Sequence, residues 1–171
     1  QVRQALKKVS ALLKKGVHDM TIAIGNDHTS VDLKNHIMQH LISKGYEVIN
    51  LGTDSKERTD YPIYGKRVAK SILSGESRLG ILICGTGIGI SLAANKIKGI
   101  RAAVCSEPYS ARLTRQHNNA NIIAFGSRVV GDAMAEMIVD EFLSTAYEGG
   151  RHQARIDMIA EIEQDGGLCI E

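Results

Sequence analysis

The sequence lacks several features that would assign it to a class at once. It has no tryptophan, two phenylalanines and two prolines in 171 residues, and no apolar run that approaches the length of a membrane span. Its three cysteines, at positions 84, 105 and 169, form neither a CxxC pair nor a zinc-binding spacing. No secretory signal pattern precedes the first predicted strand. These absences argue against a membrane-spanning protein and a disulfide-stapled secreted domain, and they favour reduced thiols in a cytoplasmic protein.

The folded part of the chain also lacks an excess of charge of either sign. The formal net charge is +2, but residues 1–20 hold five basic side chains against one acidic side chain. The remaining 151 residues carry 16 basic and 18 acidic side chains. We therefore expect no nucleic-acid partner and no membrane partner, and any phosphate binding must be local.

Residues 1–19 are predicted to be an extension that precedes the domain. Apolar residues recur there with a 4-3-4 spacing, at Val2, Leu6, Val9 and Leu13. This spacing predicts a short amphipathic helix, which Gly16 would end. Met20 opens the first strand pattern, so we interpret residues 1–19 as an appended segment, with an assembly helix as the alternative, and residues 20–171 as one domain.

From Met20 onward, strand and helix patterns alternate. The predicted strands are 20–24, 46–51, 80–84, 100–105 and 121–125, and the predicted helices are 30–43, 61–74, 90–97, 107–117, 131–145 and 151–164. Five successive strand–helix units predict an α/β fold with a parallel sheet that is covered on both faces. Ligands of such sheets bind at the carboxyl ends of the strands, so we expect the functional site in the loops that follow the strands.

The segment from residue 80 to residue 91 is the most informative. A short apolar run predicts a buried strand that ends in Cys84, and glycines follow at 85, 87 and 89, before a helical segment. Backbone N–H groups in such a turn, together with the helix dipole, favour negative charge and the thiolate form of cysteine. The turn therefore suits chemistry that passes through an oxyanion, whereas Cys105 is interpreted as structural.

Two familiar phosphate chemistries do not fit this turn. It lacks the lysine of a P-loop. Ile90 stands where a cysteine phosphatase would need its arginine. The turn alone is therefore no nucleotide fingerprint.

Other candidate residues lie at the ends of predicted elements. Asp27 and His28 follow the first strand, where a carboxylate and an imidazole can orient a polar ligand or act as a helix cap and a surface histidine. His117 and Asn118 end the fourth helix, where a histidine can also simply interact with the helix dipole.

Basic residues offer a possible phosphate site. Arg128 follows the fifth strand, and Arg151 and Arg155 are four residues apart on one face of the last helix. Paired guanidinium groups suit a phosphate monoester, although an exposed basic face is the simpler interpretation. His36 and His40 are also four apart, but no third ligand is evident, so we predict that they face solvent and that there is no metal site.

Taken in order, seven motifs resemble one family. They are Asp27-His28, residues 57–62 (Glu-Arg-Thr-Asp-Tyr-Pro), 84–91 (Cys-Gly-Thr-Gly-Ile-Gly-Ile-Ser), 105–110 (Cys-Ser-Glu-Pro-Tyr-Ser), 115–118 (Arg-Gln-His-Asn), 125–128 (Phe-Gly-Ser-Arg) and 147–152 (Tyr-Glu-Gly-Gly-Arg-His). From about Met20 to the last helix, the chain resembles the type B ribose-5-phosphate isomerases, a family shared with the galactose-6-phosphate isomerase subunits.

The resemblance implies a Rossmann-like, three-layer α/β/α sandwich with a five-stranded parallel sheet. It implies a homodimer, which can pair into a tetramer, with an active site shared across the dimer interface. It further implies interconversion of ribose 5-phosphate and ribulose 5-phosphate, in the non-oxidative branch of the pentose phosphate pathway, without a metal or an organic cofactor.

The resemblance also assigns roles by position. Cys84 matches the base that transfers the proton, and His117 matches the acid that opens the furanose ring, with Asp27 able to assist at the anomeric hydroxyl. The side chain of Thr86 and the backbone of Gly85, Thr86, Gly87, Ile88 and Gly89 match an anion hole. Contacts with the sugar are implied for Asp27, His28 and Asn118, and contacts with the substrate, at its phosphate end for the last two, for Arg128, Arg151 and Arg155.

Two alternatives remain open from the sequence. One is a galactose-6-phosphate isomerase subunit. The other is a non-catalytic module that binds sugar phosphates. Asn26 and Thr29, which flank the Asp27-His28 pair, stand at positions that vary among relatives, and they leave the preferred sugar open but not the reaction class.

Overall fold

The structure is a computed structural model that describes residues 20–164. Its strands are β1 (Thr21–Asn26), β2 (Glu47–Asn50), β3 (Leu79–Cys84), β4 (Ala102–Val104) and β5 (Ile122–Gly126). Its helices are α1 (Val31–Ser43), α2 (Tyr61–Leu73), α3 (Ile88–Ala94), α4 (Pro108–Asn118), α5 (Asp132–Ser144) and α6 (Arg151–Gln164), and a 3₁₀ turn (His28–Ser30) precedes α1. Every predicted strand and helix is therefore present.

The five strands form one parallel sheet in the order β2-β1-β3-β5-β4. Side chains of alternate residues point to opposite faces, so a core forms on each face of the sheet. One core packs under α1, α4 and α5, and the other packs under α2 and α3. All six residues of β3 are buried, as expected for a central parallel strand. The predicted three-layer α/β fold is confirmed.

The largest shift from a predicted boundary is in α3, which was expected at 90–97 and forms at 88–94. Gly87 has a φ angle of +79° and caps the helix, so the helix begins directly at Ile88. At the other end, the side chain of Asn95 bonds both backbone groups of Ala102. These bonds stop the helix and direct the chain into β4.

The prediction that His36 and His40 face solvent is confirmed only in part, because the His36 side chain is 37% exposed and the His40 side chain is 13% exposed. His36 Nε2 lies 2.8 Å from Glu136 Oε1, and His40 Nε2 lies 2.9 Å from Asp140 Oδ1. Both carboxylates belong to α5, which packs beside α1 with the same four-residue spacing. Because 100 residues separate the partners, the spacing within α1 could not indicate them.

The prediction for residues 1–19, and Cys169 with them, falls outside the described residues. Within residues 20–164, no helix combines the length and the apolar character needed to cross a bilayer.

Candidate active site

The loops after β1 and β3 meet at a crevice in the carboxyl edge of the sheet. These strands are neighbours, but the chain leaves β1 towards β2 on one side and later returns to β3 on the other side. Such a reversal opens the crevice in which α/β proteins bind ligands. Asp27 follows β1 directly, and its N–H donates to the carbonyl of Ile83 at 3.2 Å. Cys84 ends β3, so Asp27 and Cys84 lie at the same edge.

The thiol of Cys84 is held by the glycine turn. Its side chain is buried, with 5% of its surface exposed, and the N–H of Gly87 donates to Sγ at 3.1 Å. This hydrogen bond fixes the position of the sulfur against the turn. A Cβ atom at Gly87 would lie 2.7 Å from the backbone of Phe125, so the donor position requires glycine.

The rest of the turn is packed closely against the end of β5. A Cβ atom at Gly126 would lie 2.5 Å from Cα of Thr86, and the N–H of Arg128 donates to the carbonyl of Gly85 at 3.1 Å. The N–H of Ile88 donates to Oγ1 of Thr86 at 3.3 Å. The turn therefore uses the N–H groups of Gly87 and Ile88 internally, and fewer donors remain for an anion than its five residues suggest.

Asp27 is fixed in one orientation beside this turn. Its Oδ1 accepts the N–H of Thr29 at 3.0 Å and the hydroxyl of Thr29 at 2.6 Å. No hydrogen bond among residues 20–164 reaches its Oδ2 atom. The same Thr29 hydroxyl is 3.8 Å from the position of a Cβ at Gly85, so the carboxylate lies close to the glycine turn.

His28 is oriented by the loop before α2, none of whose residues was predicted as a site residue. Its Nδ1 accepts the N–H of Thr59 at 3.3 Å, which requires Nδ1 without a proton and leaves Nε2 as the donor of the neutral ring. The ring of Tyr61 lies over Gly89, where an added Cβ would be 2.7 Å from Cζ. Thr59 and Tyr61 belong to the 57–62 motif, which runs from the loop after β2 into the first turn of α2. The polar residues of this motif were the sequence signal that could have indicated these contacts.

Arg128 faces the same crevice. Its Cδ and Nη1 atoms lie 3.7 Å from the position of a Cβ at Gly85. The side chain is exposed and takes part in no ion pair within the described part of the chain. A cation that is free of an acidic partner can bind an anionic ligand at this edge.

The other predicted site residues form a second group around His117. Its ring stacks on that of His152, with centroids 4.3 Å apart and planes inclined by 11°. Burial, followed by the nearby His117 and Arg151, lowers the pKa of His152. Arg151 and Arg155 are exposed on the first turns of α6, and neither takes part in an ion pair among residues 20–164.

A single chain does not bring the two groups together. Since α4 runs back from the carboxyl edge of the sheet, its last residues lie at the amino edge. The carbonyl of Asn118 there accepts a hydrogen bond from Arg101, which precedes β4. No hydrogen bond, ion pair or ring contact of the described residues joins His117 to Cys84. A groove of about 370 Å³ between β4 and α6 includes Asn118 but no residue of the Cys84 turn.

The fold and the thiol in its glycine turn agree with one class of protein. Residues 22–159 match the family model for Ribose/Galactose Isomerase, so the chain belongs to that family.

Within the family, the chain is similar to ribose-5-phosphate isomerase B of Escherichia coli K12. The two are 61% identical over 143 residues, which cover 84% of this chain and 96% of the relative. The structure of ribose-5-phosphate isomerase B from Clostridium thermocellum has a TM-score of 0.85 and 52% identity, and the match covers 86% of this chain and 99% of that one. The enzyme from Mycoplasma genitalium, solved with bound ribulose-5-phosphate, has a TM-score of 0.81 and 44% identity, over 86% of this chain and 98% of that one. The resemblance predicted from the motifs is confirmed.

Proposed function

We propose that this protein is an aldose–ketose isomerase that interconverts ribose 5-phosphate and ribulose 5-phosphate through a cis-enediolate. The observation that carries the proposal is the Cys84 thiol, which receives the N–H of Gly87 and lies at the same crevice as Asp27. The names of the similar proteins support this substrate. The thiols of Cys84 and Cys105, neither in a disulfide, also suit the reducing cytoplasm, where we place the enzyme.

The reaction begins with opening of the furanose ring. His117 protonates the ring oxygen, and Asp27 accepts the proton of the anomeric hydroxyl through its free Oδ2 atom. The ring C–O bond breaks as the aldehyde C=O forms, so no electrons are gained or lost. The fixed Oδ1 contacts with Thr29 keep the second oxygen of Asp27 in one place for this step.

Proton transfer between C1 and C2 follows. The Cys84 thiolate removes the proton from C2 of the open aldehyde and returns it to C1, and the enediolate carries the charge in between. The hydroxyl proton moves from O2 to O1 in the same interval, so C1 ends as an alcohol and C2 as the ketone carbonyl. Backbone donors of the 85–89 turn that are not used internally stabilise that charge. Loss of one well-aimed donor of this kind costs about 2.7–4 kcal/mol in barrier height. No metal or organic cofactor is needed for these steps.

The phosphate group does not react but holds the substrate in place. Arg151 and Arg155 are exposed and four residues apart, and neither is in an ion pair among the described residues. Their guanidinium groups can therefore donate hydrogen bonds to the phosphate oxygens. Arg128, beside Gly85, contacts the substrate at the other end. Binding energy from the phosphate then lowers the barrier at C1 and C2.

The assembly follows from the separation of the two groups. Because Cys84 and His117 lie at opposite edges of the sheet, we infer a homodimer in which each chain places His117, Asn118, Arg151 and Arg155 against the Cys84 crevice of the other. Further pairing of dimers into a tetramer would leave this site unchanged.

A subunit-mixing experiment tests both the chemistry and the assembly. Cys84→Ala and His117→Ala are each expected to be nearly inactive. Dimers mixed from the two variants regain one intact site, so about a quarter of the wild-type activity should return after random exchange. Mixed dimers that form, as seen by native mass spectrometry with one tagged chain, but stay inactive would contradict the shared site.

The substrate is tested separately with the wild-type protein. Turnover of ribose 5-phosphate is expected to exceed that of galactose 6-phosphate. The second sugar is included because the family description also names galactose isomerase. Binding of ribose 5-phosphate without deuterium incorporation at C2 would instead indicate a non-catalytic module.

A further inference from the structure

The cluster of His117, Glu148 and His152 has the composition of a transition-metal site. One ligand atom from each of the three side chains lies within 4.8 Å of the other two. Imidazole nitrogen and carboxylate oxygen are the donors that zinc takes in His₂Glu sites, which keep a fourth position for water. The proposed isomerisation uses only His117 of this set.

The Nε2 atom of His152 gives a second, independent indication of a metal site. The side chain is 7% exposed, and Nε2 is buried with no hydrogen-bond partner among residues 20–164. The nearest carboxylate oxygen, Oε2 of Glu148, is 3.5 Å away. Buried polar atoms nearly always have a partner, and a bound cation would give this nitrogen one.

The backbone holds Glu148 beside His117, and its exposed side chain can move to bind an ion. Its N–H donates to the carbonyl of Gln116 at 3.1 Å, which ties it to the end of α4 beside His117. The side chain is exposed, and the next two residues, Gly149 and Gly150, have φ angles of +65° and +56°. A tetrahedral zinc ion spaces its ligands roughly 3.3 Å apart, so the most distant of the three atoms, up to 4.8 Å apart, need to approach by up to about 1.5 Å.

The stacking of His117 on His152 determines which ring must rotate when a metal ion binds. Two parallel imidazoles cannot both direct an in-plane lone pair at one point, so one ring must turn about its Cβ–Cγ bond. His152 is buried and held by α6, whereas His117 is only half-buried. Binding therefore turns the ring of His117 and occupies one of its nitrogen atoms.

We propose that His117, Glu148 and His152 bind one zinc ion per chain and that zinc inhibits the isomerase by removing His117 from ring opening. The binding part of the proposal stands on the cluster alone, and the inhibition part rests on the proposed function. Water completes the coordination, and no bond of the substrate changes.

The binding part is tested by equilibrium dialysis with zinc alone, on the full chain with all three cysteines replaced so that thiols do not contribute. We expect one zinc per chain, and an affinity at least about tenfold lower in His152→Gln and Glu148→Gln. His36→Gln is the matched control, because it removes a histidine that bonds a carboxylate elsewhere, and it should bind zinc as the parent does. Equal affinity in all four proteins, with unchanged circular dichroism, would overturn the site.

The inhibition part is tested with two substrates on the protein with its native cysteines. Ribose 5-phosphate needs ring opening, whereas ribulose 5-phosphate is an open chain and exchanges its C1 proton through Cys84 alone. Zinc should suppress turnover of ribose 5-phosphate, reversibly with EDTA, but leave solvent deuterium exchange into ribulose 5-phosphate. Loss of both reactions would place the ion on Cys84 and overturn the proposal.

The Glu148→Gln variant distinguishes loss of zinc binding from loss of catalysis. It should keep its turnover without zinc and need at least about ten times more zinc for half-inhibition. Unchanged zinc sensitivity would contradict the proposal. A chain with no isomerase activity at all would refute the proposed function, while dialysis would still decide the metal site.

Discussion

Cys84 ends β3 and Cys105 follows β4, two strands of the same sheet that are separated by β5. The two cysteines show how the residues after a strand decide the chemistry of a thiol. Both side chains are buried at the carboxyl edge, with 5% and 4% of their surface exposed. The turn after Cys84 contains three glycines and directs the N–H of Gly87 at the sulfur. The turn after Cys105 contains Glu107, whose carboxylate caps α4 through the N–H of Ser110.

The electrostatic consequence for Cys105 is clear. Burial first, and then the charge of Glu107, raises the pKa of Cys105 from 9.0 to about 11. A thiol in that environment stays protonated and packs as a small apolar side chain in the core under α1, α4 and α5. Strand-end position alone therefore does not make a cysteine reactive, and the comparison with Cys84 can be tested by substitution.

The largest expected effect comes from exchanging each thiol for a methyl group. Cys84→Ala should lower the turnover of ribose 5-phosphate by at least about 10²–10⁴-fold, because a positioned base contributes that much. Cys105→Ala should stay within about twofold of wild type, because Cys105 only fills core volume. A coupled assay and circular dichroism check both variants. Comparable losses in the two folded proteins would remove the distinction.

The next effect concerns the donor to the Cys84 sulfur. Gly87→Ala places a Cβ 2.7 Å from the backbone of Phe125, so the turn must move and turnover should fall at least about tenfold. Gly75→Ala is the matched control, since Gly75 has the same φ angle of +79° but nothing within 4 Å of an added Cβ. It should lose only about 1–2 kcal/mol of stability and keep its activity. Urea unfolding and kinetics of both variants separate strain from catalysis, and equal activity losses would count against the role of the turn.

A smaller effect is expected in chemical labelling. At pH 8, a thiol with a pKa of about 11 is ionised in roughly one molecule in a thousand, so Cys105 should react slowly with iodoacetamide. In a Cys169→Ser protein, we expect Cys84 to be labelled first, and ribulose 5-phosphate to slow that reaction. Peptide mass spectrometry over time gives both rates. Faster labelling of Cys105 in the folded protein would reverse the comparison.

The smallest effect is on stability at high pH. The pKa of Cys105 is about 11 in the folded protein, whereas the ordinary pKa of a cysteine, taken for the unfolded chain, is 9.0. The unfolded chain therefore loses this proton first as the pH rises. The free energy of unfolding should therefore fall between about pH 9 and pH 11, and Cys105→Ala should lack that part of the fall. Glu107→Gln removes the negative charge that contributes to the raised pKa of Cys105. The pH range over which the free energy of unfolding falls should therefore become narrower. Parallel pH curves for wild type and Cys105→Ala would show that burial does not hold the proton.

The convergence of three predicted site residues at the carboxyl edge could be predicted from the sequence, for a physical reason. Parallel strands end at one edge, so residues that follow β1, β3 and β5 must converge there, as Asp27, Cys84 and Arg128 do. Strands and helices were predictable because apolar runs and glycine stops are local signals. The sheet order is not local, and the motifs do not contain it.

Other features depend on contacts between distant segments. The carboxylates that hold His36 and His40 lie 100 residues away. The stack of His117 on His152 depends on how α6 returns to α4. The position of His117 at the amino edge follows from the direction of α4, whereas the proposed meeting of His117 with Cys84 of a second chain is implied by the family resemblance and by no local pattern.

The opposite placement of Cys84 and His117 has a consequence for how the enzyme works at low abundance. Because one chain holds the thiol and the imidazole at opposite edges of the sheet, the proposed shared site predicts that specific activity declines on dilution below the dissociation constant of the dimer. Catalytic output would then rise faster than linearly with the amount of protein until the dimers are saturated.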